Sequence, residues 1–439
     1  MGRPTREVCN GVDDDGDELV DEEPVAETCG VGPCRTRAVC DSGVIRCVPG
    51  APRAETCNAI DDDCDDVIDE GLGFESLGPP LVLWQKPAQN VYGADLVRSE
   101  GGLLVAFRHT VQRPTPSSHN QTTLRVGFDG LPLASPLELE TRFSSWGPRL
   151  SSGRFGRVSL ASCGNAGSDS YAYSAVLDGS TGALVGPDVR RSPTDRRCGA
   201  AAPDGLFFGD LLLYGWVENS SAAEGEEVLF DVADAALASV RTSTLTTGGD
   251  LTVPPRFATD GERVALAYGL GGYPGVPRLE FHVFTDPIAP LPPPLDVPLP
   301  EGLFFADPEL LPARGGFVMF AKNRFGDGLF RVFIDSNGRL IEPPTQLEDT
   351  NELYSSPYVA SRPGGEFALA TIGYSEDTEH TAILALDEFG RITTRIRRET
   401  RSAPLAALGL DDGRVAVLFR EPLNDEEGSL TLEFFGCPR

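Results

Sequence analysis

The residues best suited to chemistry lie in two short acidic stretches. "CNAIDDDCDDVIDEG" spans 57–71, and its segment 55–70, "ETCNAIDDDCDDVIDE", aligns with "EVCNGVDDDGDELVDE" at 7–22. In the second copy Asp61, Asp63 and Asp65 occupy positions 1, 3 and 5 of a cation loop, the spacing at which a chain wrapped round an ion turns alternate side chains inward. The carbonyl of Val67 stands at position 7 and Asp69 at position 9, with Glu70 next to complete the shell. The first copy offers Asp13, Asp15, Asp17, the carbonyl of Leu19, Asp21 and Glu22 in the same order. Hard oxygen ligands with no thiolate or imidazole among them favour Ca²⁺. A run of like charges is more often a solvated block, but a random block would not repeat its Cys, Asn and Asp spacing 48 residues on.

Two departures distinguish these loops from a helix–loop–helix calcium site. Pro24 and Leu72 stand where a bidentate Glu closes such a site, and Glu18 and Asp66 replace the turn glycine. The D-x-D-x-D spacing is nearer to thrombospondin-like calcium repeats. Asp tolerates the left-handed turn better than Glu, so the second loop is the better site. Cys57 and Cys64 bracket that loop, and a bond between them would hold its carboxylates together at a contribution of roughly 2–3 kcal/mol.

The pattern C-N-x-x-D-D-D-C-D-x-x-x-D-E resembles a metal-binding motif found in tandem in many secreted or surface-anchored bacterial proteins. That family is named after a copper-associated surface protein of methane-oxidising bacteria. The resemblance covers residues 7–22 and 55–71 and the Cys-rich spacer between them. It implies an extracellular or cell-surface location and divalent-cation binding. Copper is not carried over, because no histidine lies in the loops.

Composition separates this region from the rest. Residues 1–72 hold 19 acidic and 6 basic residues, a net of −13 out of −29 for all 439 residues. Nucleic acid and anionic membranes are thereby excluded as unassisted partners, and no apolar run is long enough to span a membrane. Seven of the ten cysteines fall within the first 64 residues. A small, core-poor, cysteine-dense segment reads as a disulfide framework formed in an oxidising compartment; zinc is the lesser alternative, as the cluster has no CxxC pair and no histidine. An odd N-terminal number requires a partner elsewhere, for which Cys437 is the natural candidate, with Cys163 pairing Cys198. Cys9 faces Gly16 in its own loop, so it pairs either with Cys437 or with a middle cysteine. The start, "MGRPTREVCNGV", has no apolar core of a signal peptide.

The elements that must position any site begin near residue 80. Seven pairs of apolar runs follow at about 50-residue intervals: "LLVAFRH" with "TTLRVGFD", "RVSLASC" with "YAYSAVLD", "DLLLYGWV" with "EEVLFDVA", "RVALAYGL" with "RLEFHVFT", "GFVMFAKN" with "LFRVFID", "EFALATIG" with "TAILALD", and "RVAVLFRE" with "SLTLEFFG". Several second members run into an Asp-rich turn and another short strand, as in "FDGLPL", "LDGSTG", "IDSNGR" and "LDEFGR". About four short strands per 50 residues is the arithmetic of a β-propeller. The expected architecture is all-β: a disulfide-rich, calcium-loop module at 1–74, then a seven-bladed β-propeller at 80–439. The last unit lacks a fourth strand, and "PLVLWQ" at 80–85 is expected to supply it, closing the ring without an open edge.

No catalytic motif stands out: there is no GxSxG, HExxH or P-loop. His109, His119 and His380 fall at or near loop ends and His282 mid-strand; four scattered histidines read as incidental. The expected function is a secreted or cell-surface, calcium-stabilised protein whose propeller binds an extracellular protein or glycan. The alternative is an extracellular propeller enzyme of glycoside hydrolase or lyase type, which would require a deep central pocket where two carboxylates, or a histidine and a carboxylate, meet.

Overall fold

The structure is a computed structural model. It describes residues 72–438 except 88, 112–117, 140–146, 167–168, 193–195, 199–201, 221–225, 248–252, 271–277, 300–302, 304, 324–327, 376–377, 399–401 and 423–426. Before residue 72 it describes 8–14, 18–21, 28–29, 35–41, 43–47, 50, 52–55 and 62–64.

Each of the seven apolar pairs forms the two middle strands of an antiparallel sheet, and seven such sheets make a β-propeller. In blade 1, Gly102–Val111 and Ser118–Val126 are flanked by Val91–Ser99 and Leu137–Leu139. The middle strands are covered on both faces by neighbouring blades, so they read as continuous apolar runs: Leu103, Leu104, Val105, Ala106 and Phe107 are all fully buried.

The turn from third to fourth strand is built the same way in blades 1 to 6. Asp129, Asp178, Asp234, Asp286, Asp335 and Asp387 each accept, through a side-chain oxygen, the amide two residues on at 2.8–3.0 Å. This is the local bond that lets Asp initiate a turn without help from the core. Blade 7 has no such turn because its outer strand comes from the other end of the chain. Leu81–Trp84 pairs antiparallel with Gly428–Gly436, setting Trp84 opposite Leu430 and Leu81 opposite Leu432. Glu75–Ser76 extends the contact to Phe435 and Gly436.

Two disulfides are described. Cys163–Cys198, as expected, ties the second strand of blade 2 to a short strand, Arg196–Cys198, of blade 3. Cys9 bonds Cys40, so of the two partners open to it in the sequence the middle cysteine is the one used. Cys437 is also disulfide-bonded, and no cysteine is free among the described residues. With the other two bonds assigned, its partner is one of the remaining cysteines before residue 65. The last strand of the ring is thus held to the N-terminal segment covalently as well as by pairing. No helix among the described residues is long and apolar enough to cross a membrane.

Candidate functional site

The innermost strand of each blade faces a central channel, and six blades place one polar side chain on its wall. In order round the ring these are Asp95, Arg149, Asp204, Arg256, Glu309 and Tyr358; blade 7 contributes Leu405. They line a cavity of about 280 Å³ and an adjoining vestibule of about 200 Å³, to which Tyr92, Asp307 and Ser356 are added. Proline precedes the channel residue in every blade but the first: Pro148, Pro203, Pro255, Pro308, Pro357 and Pro404. The channel-side edge of an innermost strand has no neighbour, so a missing N–H costs no ladder bond there. The register slips around Pro255, Pro308 and Pro404, and such bulges re-aim the side chain that follows. In blade 1 the position before Asp95 is Ala94, and the wall is tightened by glycine instead: a Cβ on Gly93 would lie 2.7 Å from the Gly147 Cα.

The bonding repeats every two blades. Asp95 accepts the amides of Leu96 at 2.8 Å and of Leu150, in the next blade, at 2.7 Å. Asp204 does the same with Gly205 at 3.0 Å and Phe257 at 2.8 Å. In both cases the neighbouring blade's amide belongs to the residue after its channel arginine. Blade 5 departs from the pattern. Its longer Glu309 reaches across the ring to Arg149, with Nη2 to Oε1 at 2.6 Å, so an ion pair between blades 2 and 5 bridges the channel. Arg256 is buried at 3% exposure and donates Nε to the Pro308 carbonyl at 3.0 Å. Its Nη1 goes to the carbonyls of Ala202 at 3.2 Å and Pro255 at 2.9 Å.

Burial raises the Asp95 carboxyl to about 6, against the opposing charge of Arg149. Burial raises Asp204 as well, opposed by Arg256 and Arg149. It also opposes the charge on Arg149, but Glu309 and Asp95 outweigh it and hold the guanidinium above its ordinary range. Burial and the nearby Arg149 lower Arg256. Tyr358 is pushed up to about 12, chiefly by burial. A carboxyl with a raised folded pKa binds its proton more tightly in the native state. Its contribution is therefore complete below the unfolded pKa of 3.8 and is lost as pH rises towards 6. Between those limits the native protein is expected to lose about 1–3 kcal/mol relative to an Asp95→Asn variant, discounted for partial exposure. Denaturant midpoints of both proteins at pH 4, 5, 6 and 7 check this, and parallel curves would rule it out.

None of these channel residues was among the sites read from the sequence. Their strands are not the continuous apolar runs that mark the paired strands, and in every blade but the first a proline stands beside the channel residue. The signal available was the recurring Pro-x-apolar step, x being Arg149, Asp204, Arg256, Glu309, Tyr358 and Leu405 in turn.

Of the calcium-loop residues, Asp13, Leu19, Asp21 and Asp63 are described. Asp15, Asp17, Glu22, Asp61, Asp65, Val67, Asp69 and Glu70 lie outside the described residues, as does Cys57. Asp13 Oδ2 accepts the amide of Glu18 at 2.9 Å, joining positions 1 and 6 of the first loop. Glu18 takes φ 75°, the left-handed turn for which a glycine is the relaxed choice. Asp21 turns back on the loop entry, where its oxygens take the amides of Asn10 at 2.9 Å and Gly11 at 3.0 and 3.1 Å. It lies beside Cys9 and Cys40, whose sulfurs are spent in their disulfide and cannot act as thiolate ligands. In the second copy the Asp63 amide donates to Glu55 Oε1 at 2.7 Å, and Cys64 has φ 66°.

Three of the histidines, His109, His282 and His380, lie in different blades and do not converge. His109 is buried in blade 1 against Trp84, with Nε2 2.9 Å from Thr122 Oγ1. His282 is buried in blade 4, 3.0 Å from the Tyr268 hydroxyl, and His380 in blade 6, 3.6 Å from Glu352.

No family model and no curated protein matches the chain. Among solved structures, a protein of unknown function from Dyadobacter fermentans aligns with TM-score 0.50 and 12% identity, over 83% of this chain and 99% of that one. The β-propeller domain of the Trilobed protease from Pyrococcus furiosus aligns with TM-score 0.45 and 12% identity, over 78% of this chain and 94% of its own. A subtype N10 neuraminidase-like protein of A/little yellow-shouldered bat/Guatemala/060/2010 aligns with TM-score 0.43 and 10% identity, over 66% and 94%. At these identities the likeness is one of fold: the chain is a seven-bladed β-propeller.

Proposed function

We propose that this is an exported binding protein, in which a calcium-stabilised N-terminal module is fastened to a propeller that takes its ligand at the central channel. The observation that carries the binding role is the convergence of polar side chains from six blades on one channel, presented on a scaffold with little freedom to move. Disulfides in both parts of the chain support an oxidising, extracellular setting. What supports calcium is Asp13, whose bond to the Glu18 amide joins positions 1 and 6 of the first loop, and the matching carboxylate spacing of the second copy in the sequence. Of the four described candidates, Asp21 is the weakest, its oxygens being engaged by two backbone amides.

Calcium bound at 100 times its Kd would add about 2.7 kcal/mol per site. Chelation is therefore expected to speed proteolysis of residues 1–74 and to leave the propeller fragment intact. Metal analysis of the purified protein and digestion with and without chelator test this; identical digestion patterns would exclude a calcium role. A glycan and protein panel tests the binding role, and failure to retain any component would count against it.

One observation favours an enzyme as second reading. A channel carboxyl that changes charge near pH 6, as Asp95 does, is what acid catalysis requires. Product release from a retained glycan would establish it. Against it, both Asp95 oxygens are held by amides and Glu309 by Arg149.

A further inference from the structure

The hydrogen-bonding groups of the channel do not balance, and most of the surplus is in donors. The acceptors are nearly used up: both oxygens of Asp95 and of Asp204 take backbone amides, and Glu309 Oε1 takes Arg149. At the vestibule Asp307 Oδ2 takes the Ser356 hydroxyl at 2.6 Å. Arg149 commits only Nη2, and Arg256 commits Nε and Nη1 to carbonyls. Among the described residues, Nε and Nη1 of Arg149, Nη2 of Arg256 and the Tyr358 hydroxyl meet no protein acceptor. All three side chains line the same cavity. Arg256 is 3% exposed as a residue, yet none of these donor atoms is buried away from the cavity, so they face the open space that a ligand or solvent fills.

We propose that the channel binds a small oxyanion, a carboxylate, phosphate or sulfate group, held by Arg149, Arg256 and Tyr358. A planar guanidinium offers paired N–H groups that match such a group, and the tyrosine supplies a third donor from an adjacent wall. The cavity, at about 280 Å³, lies at the small end of ligand sites, so it admits the anionic group and little more. The chain's charge of −29 does not prevent this, since surface charge is screened over roughly 8–10 Å at physiological salt. Glu309, Asp307 and the amide-bonded carboxyls of Asp95 and Asp204 are the competing anionic groups, and they select against larger or more highly charged ligands. This inference rests on the channel being the ligand site and adds the class of ligand.

Calorimetric titration of the full chain with inorganic sulfate, inorganic phosphate and glucuronate, each against chloride at matched ionic strength, tests it. At least one probe is expected to bind, with affinity lowered about ten- to a hundredfold in Arg149→Met and by a smaller factor in Tyr358→Phe. Arg331→Met, in a cleft between blades 5 and 6, serves as the unaffected control. Sulfate or phosphate binding assigns a tetrahedral ion, and glucuronate binding a carboxylate carried by a sugar. Should Arg149→Met fail to melt cooperatively, Tyr358→Phe carries the test. Silence from all three probes, or equal affinity in wild type and both channel variants, overturns the inference. If the panel of glycans and proteins still yields a ligand in that case, the binding role stands and only the oxyanion assignment falls.

Discussion

Asp231→Ala is expected to destabilise the protein by about 3–5 kcal/mol, with no change at the channel. Asp231 sits in the third strand of blade 3, and Arg191 reaches it from the end of blade 2, Nη1 to Oδ2 at 2.9 Å. The two side chains are 1% and 3% exposed. The pair is enclosed by hydroxyls: Ser174 accepts Arg191 Nε at 2.7 Å, Ser239 donates to Asp231 Oδ2 at 2.8 Å, and Thr242 donates to Oδ1 at 2.7 Å. Burial lowers the Arg191 pKa and Asp231 opposes that effect, so removing the carboxylate leaves a guanidinium with neither water nor a counter-ion. Replacing both partners with apolar residues of similar volume, Arg191→Met with Asp231→Leu, removes the unpaired charge as well as the attraction. The double variant is therefore expected to recover more than half of the loss. Denaturant midpoints for both single variants and the double variant decide this. A loss below about 1 kcal/mol in Asp231→Ala would mean that the pair does not latch blades 2 and 3.

Trp84→Ala is expected to cost about 3–5 kcal/mol, a size usual for emptying a large buried site. Trp84 ends the strand that closes blade 7 and is 4% exposed. Its ring lies 5.4 Å from Phe107 and 4.9 Å from His109, centroid to centroid, so it packs on blade 1 while its backbone pairs with blade 7. Val82, two residues earlier, is 59% exposed, and Val82→Ala should stay within about 0.5 kcal/mol. The contrast separates packing of the tryptophan from a general weakening of the strand. Loss of the whole strand would expose the backbone edge of Gly428–Gly436, a template for association between chains. A variant lacking residues 1–84 should therefore aggregate on refolding at concentrations where the full chain remains monodisperse. Equal stability of Trp84→Ala and Val82→Ala would show that closure does not depend on this contact.

The propeller was legible in the sequence because its evidence is local. Each middle strand is buried on both faces and so reads as an unbroken apolar run. Each turn from third to fourth strand declares itself through an Asp that bonds the amide two residues on. The absence of a fourth strand after "SLTLEFFG" pointed to "PLVLWQ", since an unpaired edge must be covered. Cys163 with Cys198 followed from their separation from the N-terminal cluster. The channel was not legible, because its bonds join residues far apart in the chain. Asp95 and the Leu150 amide are 55 residues apart, and Arg149 and Glu309 are 160 apart.

By itself, then, the sequence determined the repeating unit and the number of units, which follow from the order of residues over a few tens of positions. Only the tertiary structure decided that Asp95, Arg149, Asp204, Arg256, Glu309 and Tyr358 share one wall. The reason is geometric. Ring closure brings one position from each blade to the axis, and proline and bulges in the innermost strands decide which side chain that is. The same closure carries Cys437 back towards the N-terminal segment, where the excess of cysteines required a partner.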